Sequence, residues 1–143
     1  MRLLDTNIFV YAHGRPHPLS EPCRALVGRL GEDTQGYTID TELLQEILHV
    51  YSVRDDLVTG FAIFDQLIEL FPDPAPVTGA EMQKARRLLE QYPALSPRDA
   101  IHAAVVQTQG LEGIVTTDRV FQQVRDLRVF DPRKLTRDAT PEA

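Results

Sequence analysis

The chain begins Met1-Arg2-Leu3-Leu4-Asp5-Thr6-Asn7, a short apolar run that stops abruptly at a carboxylate. Leu3 and Leu4 fit a strand buried on both faces, and such a strand has its polar opportunity at its end. An acid there stands at the carboxyl edge of a sheet, where open α/β sheets bind ligands. Thr6 and Asn7 are helix-capping types, and Ile8-Phe9-Val10-Tyr11-Ala12 opens a helix behind them. The unit recurs. Gly113-Ile114-Val115-Thr116-Thr117-Asp118 is a β-branched run leading to a second Asp, with Val120 and Phe121 starting another helical turn. Taken singly, either Asp can be a simple helix cap. Two parallel strands that both end in Asp bring two carboxylates to one sheet edge, where like charges raise each other's pKa. A cation between them relieves that cost, so the repetition points to a metal site.

The rest of the chain reads as short strands alternating with helices. Strands are expected at about 2–5, 37–39, 113–116 and 127–130, with a further short one beside Pro72, Pro74 and Pro76. Helices are expected at about 6–12, 20–31, 41–53, 56–69, 79–91 and 97–109. Asp40 or Thr41 caps the third, in which Leu43, Leu44, Ile47, Leu48 and Tyr51 keep helical rhythm. Pro22 and Pro97 fit the first turns of their helices. This alternation implies an α/β fold: a three-layer sandwich around a short-stranded central parallel sheet. At 143 residues it makes one domain, over residues 1–135, with a disordered tail expected from Thr136 to Ala143.

One cysteine, Cys23, excludes an internal disulfide framework, and no apolar run reaches a membrane span's length. The start of the chain reads as a strand rather than a secretion signal, so a cytoplasmic protein is expected. The net charge of −6 is unusual for a protein that binds nucleic acid through phosphates alone. A carboxylate–metal site adds negative charge that the ion later offsets. Basic residues gather at Arg125, Arg128, Arg133, Lys134 and Arg137, and at Lys84, Arg86 and Arg87. Either group can equally be a solvated face.

Two more acids lie on apolar helix faces. Glu46, in Leu43-Leu44-Gln45-Glu46-Ile47-Leu48, falls within its helix's buried half, where a Glu needs a partner. Asp99, in Ser96-Pro97-Arg98-Asp99-Ala100-Ile101-His102, sits in a first turn, where the helix dipole alone also favours it. Carboxylates at two strand ends and on two helices suit a hard divalent cation, Mg²⁺ or Mn²⁺. No Gly-rich phosphate loop is present, so phosphodiester hydrolysis fits better than nucleotide turnover.

These pieces together resemble the PIN-domain ribonucleases, most closely the VapC-type toxins of toxin–antitoxin pairs. The resemblance rests on Leu4-Asp5-Thr6-Asn7-Ile8, Glu46 in its Leu-rich helix, Ser96-Pro97-Arg98-Asp99-Ala100-Ile101-His102-Ala103-Ala104, and Val115-Thr116-Thr117-Asp118-Arg119-Val120-Phe121. It implies that Asp5, Glu46, Asp99 and Asp118 are the catalytic acids, with Asp5, Asp99 and Asp118 on the metal. It also implies Thr6, Asn7 and Thr116 as supporting groups, an RNA substrate, an antitoxin partner and a homodimer. A non-toxin nuclease of the same family, or a non-enzymatic module whose partner covers the acids, are the alternatives. Three other patterns fit less well. His49 and His102 each follow an acid by three positions, as in di-iron bundles, but the remaining acids follow strands. Asp5 lacks the second Asp two positions on that aspartyl phosphatases carry. His102 therefore reads as a core or supporting residue, and Cys23 has no catalytic signature around it.

Overall fold

The computed structural model describes residues 1–135; the expected tail at 136–143 lies outside the described residues. Strand β1 (Arg2–Leu4) leads into α1 (Thr6–His13), and α2 (Ser20–Glu32) precedes β2 (Tyr37–Thr38). Helices α3 (Thr41–Val53), α4 (Leu57–Leu70), α5 (Gly79–Gln91) and α6 (Pro97–Thr108) follow, then β3 (Gly113–Val115) and β4 (Val129–Phe130). The four strands run parallel in the order β2-β1-β3-β4, with Leu3 opposite Thr38 and Ile114, and Leu4 opposite Val115.

The two-residue period of a strand divides the core. Leu4 and Val115 point to one face, under α1, α2, α3 and α4; Leu3 and Ile114 point to the other, under α5 and α6. Helices on both faces of a parallel sheet make the three-layer sandwich expected from the sequence. Close approach is built in at Gly113, where a Cβ would lie 2.3 Å from the carbonyl oxygen of Arg128 on the way into β4. Gly60 does the same for the α3–α4 pair, since a Cβ there would meet the Tyr51 Cβ at 2.7 Å.

One expected element is reduced. The strand beside the prolines is a single bridge, Asp40 to Ala75. Ala75 N–H donates to Ile39 O and Thr41 N–H donates to Ala75 O. The next ladder donor, Val77 N–H, goes to the Thr41 side-chain Oγ1 at 3.1 Å instead, so the pairing stops at one bridge. The last strand is also shorter than expected, Val129–Phe130, because Leu127 turns back through its own N–H to Val124 O.

Sheet order decides where the acids meet. β1 and β3 are the central pair, so Asp5 and Asp118 leave the same carboxyl edge. The start of α6 carries Asp99 to that edge, and the second turn of α3 carries Glu46.

Candidate metal centre and active site

Asp5 is buried at the end of β1 and caps α1, its Oδ1 accepting from Thr6 N–H at 2.7 Å. Its other oxygen, Oδ2, accepts from the Thr116 hydroxyl at 2.7 Å. That hydroxyl is a hub: it also accepts from Asn7 Nδ2 at 3.3 Å and from Asp118 N–H at 3.0 Å. Thr116 thus ties β1, the start of α1 and the Asp118 turn together. Asp118 is exposed and caps the 3-10 turn Arg119–Gln123 through Val120 N–H at 3.0 Å. Asp99 forms a capping box with Ser96: Ser96 N–H donates to Asp99 Oδ2 and Asp99 N–H donates to Ser96 Oγ, each at 3.2 Å. The capping roles allowed for Asp5, Asp99 and Asp118 are all real. They do not exclude a second role, because all three acids also line one open pocket.

That pocket, about 450 Å³, is lined by Asp5, Thr6, Asn7, Glu46, Asp99 and Asp118, with Tyr11, Arg54 and Arg98 among its other walls. Thr116 stands behind Asp5, so every site residue expected from the sequence gathers at this edge. Burial pushes the Asp5 carboxyl up to about 6, against the pull of His102 and Thr116, and Glu46 and Asp99 push it further. Glu42, half-buried one turn before Glu46, is also raised, by burial and then by Glu46.

The sequence marks His102 as a core or supporting residue and Asp40 as a helix cap, but not the link between them beneath the pocket. His102, wholly buried on α6, donates through Nδ1 to Asp40 Oδ2 at 2.6 Å and through Nε2 to Glu46 Oε1 at 2.7 Å. Asp5 Oδ1 is 3.7 Å from the same Nε2. Burial alone would lower the ring's pKa, but Asp40, Glu46 and Asp5 outweigh it and hold it well above the usual histidine value. Each ring nitrogen faces a carboxylate oxygen, and the three acids favour the charged form of the ring. The Asp99-x-x-His102 spacing, one helical turn, was the available signal.

The donor set fits a hard cation. Every candidate is an oxygen, and the chain's one thiol, Cys23, is buried on α2. Asn7 Oδ1 and Thr6 Oγ1 are buried beside Asp5 with no hydrogen-bond partner. Burial, more than the neighbouring acids, raises the Asp5 carboxyl, so its charge lacks solvation that a bound cation would replace. Among the described residues, no three acid, His or Cys side chains are already drawn together as ligands of one ion. The acids line the wall of an open pocket instead.

A family model for the PIN domain matches residues 2–127. The chain belongs to the PIN-domain family. It is 32% identical to ribonuclease VapC7 of Mycobacterium tuberculosis over 128 residues, 89% of this chain and 88% of that one. Among solved structures, its PIN fold superposes on FitAcB from Neisseria gonorrhoeae with a TM-score of 0.72 at 20% identity, covering 94% of this chain and all (100%) of that one. A toxin–antitoxin complex from Klebsiella pneumoniae gives a TM-score of 0.65 at 19% identity over 92% of this chain and 98% of that one. The PIN match spans all four pocket acids.

Proposed function

We propose that this PIN domain is a Mg²⁺- or Mn²⁺-dependent endoribonuclease that hydrolyses RNA phosphodiester bonds, and that it is the toxin of a toxin–antitoxin pair. The observation that carries the reading is the single pocket in which Asp5, Glu46, Asp99 and Asp118 meet. Kinship with a ribonuclease named VapC7 supports the substrate class.

Asp5, Asp99 and Asp118 would hold the ion, which when bound would supply polarisation of the scissile phosphoryl group and charge to balance the transition state. Thr116 and Asn7 keep Asp5 and Asp118 in register. Glu46 orients the attacking water toward phosphorus. Arg54 and Arg98, exposed at the pocket wall, draw in the flanking phosphates that the acids would otherwise repel. A cation held there would offset both the acids and the negative charge of the phosphodiester.

The antitoxin reading draws support from structural neighbours such as the Klebsiella toxin–antitoxin complex. A surface suited to association is present: Val53, Val58 and Phe61, on α3 and α4, are 72%, 82% and 53% exposed. We assign this face to a homodimer, with the antitoxin reaching the acid pocket. No described helix is long and apolar enough to cross a membrane. An RNA substrate and a free buried Cys23 both suit a cytoplasmic setting.

The deciding experiment is cleavage of single-stranded RNA by the purified chain. Mg²⁺ or Mn²⁺ supports it and EDTA stops it, while Asp99→Asn, which keeps shape but removes ligand charge, slows it at least ~100-fold. Undiminished cleavage after exhaustive chelation overturns the metal, and a fully active Asp99→Asn chain overturns the site.

A further inference from the structure

Asp40 and His102 are wholly buried, and neither lines the pocket. A buried ion cluster is an expensive way to fill a core that apolar side chains fill more stably. Its geometry has one outlet. Asp40 is fixed from three directions: Oδ1 accepts from Leu43 N–H at 2.9 Å, Oδ2 accepts from His102, and its backbone bridges to Ala75. The same carboxylate thus starts the helix that carries Glu46 and anchors the ring on which Glu46 rests. The ring in turn holds Glu46 Oε1 at 2.7 Å.

We propose that Asp40 and His102 are positioning residues: the imidazole, clamped by Asp40, fixes Oε1 of Glu46 so that the other carboxylate oxygen serves the pocket. This rests on the nuclease reading of the pocket and assigns it a supporting relay that spans 62 residues of sequence between Asp40 and His102. Neither positioning residue touches substrate. An apolar core role would leave Glu46 free to swing; the relay does not.

A double-mutant cycle tests this on the full chain. His102→Gln lowers kcat by about 10–100-fold, the range for partners that orient an active group, with KM within about twofold. In a Glu46→Gln background the same change costs at most about a further twofold, because the group it orients is already gone. Losses that multiply overturn the proposal and leave the nuclease reading intact. A Glu46→Gln chain as active as the parent overturns both the role of Glu46 and the relay. If His102→Gln does not fold, Asp40→Asn, which retains an oxygen for the Leu43 cap, takes its place with the same expectation. A second readout needs no activity. In ¹⁵N NMR of the full chain, Glu46→Gln moves the His102 Nε2 resonance and Asp40→Asn moves Nδ1. An Nε2 resonance indifferent to Glu46→Gln refutes the relay.

Discussion

Replacing Asp5 by Asn should stabilise the metal-free protein while removing its activity. Folded Asp5 keeps its proton up to about pH 6, whereas an ordinary Asp releases it near 3.8. Between those values the folded chain binds more protons than the unfolded chain, so stability falls as pH rises. The gap, at about 1.4 kcal/mol per tenfold change in proton affinity, is worth about 3 kcal/mol once Asp5 is ionised. The attraction of His102, 3.7 Å away, is already contained in that value. The substituted asparagine would keep the bond from Thr6 N–H but turn an amide NH₂ toward the Thr116 hydroxyl, which already accepts from Asn7 and Asp118. The lost bond costs about 1 kcal/mol. The net gain at pH 7.5 is therefore about 2 kcal/mol, or about 6 °C in Tm. Near pH 4 the gain from charge removal vanishes and the variant becomes the less stable of the two, with the crossing at about pH 4.5. Urea denaturation of both chains in EDTA, from pH 4 to 8, reads the whole curve. A variant less stable than its parent at pH 7.5, or a difference that does not change with pH, refutes the claim that Asp5 is held there against its own charge.

Three further outcomes are expected. Thr116→Val keeps shape but leaves Asp5 Oδ2 without its donor, costing about 1–3 kcal/mol in urea denaturation; an unchanged midpoint would remove Thr116 from the role of hub. Expression of the chain alone arrests growth, co-expression of the small protein from the adjacent reading frame relieves it, and Asp5→Asn abolishes it without a partner; harmless expression of active enzyme favours a non-toxin nuclease. Light scattering at micromolar concentration gives twice the 16.1 kDa chain mass, and Phe61→Glu on the exposed α4 face reduces it to one; a parent monomer rejects the dimer.

Most of the fold was legible because its signals are local. Helix starts carry their own caps, and the strands are short apolar runs with turn residues around them. The site was legible in composition but not in arrangement. Asp5, Asp40, Asp118 and Asp131 all follow strands, and all four cap the helix or 3-10 turn that comes next. Nothing in the local pattern separates them. Sheet order does: β1 and β3 are central, so Asp5 and Asp118 border the pocket. Asp131, just after edge strand β4, is taken up by Arg133, with Nη2 to Oδ2 at 2.6 Å. Asp40, beyond β2, is turned inward to His102.

Strand order is a long-range property, and so is the pairing of His102 with Asp40 and Glu46. One turn after Asp99 on a buried face, His102 reads from sequence as a core or supporting residue. What it supports depends on the N-cap and second turn of a different helix, α3. The capping and metal-binding readings of the acids competed only while each acid was considered alone. A carboxylate has two oxygens with several lone pairs, and Asp5 uses one oxygen to start α1 and the other to hold Thr116. Capping therefore fixes the carboxylates rigidly at the sheet edge, at the positive ends of helices that make their charge tolerable. The local device that builds the helices is also what preorganises the pocket. A site assembled this way takes its shape from the helix starts themselves, and the burial that raises the affinity of Asp5 for a proton creates a demand that a bound cation would meet.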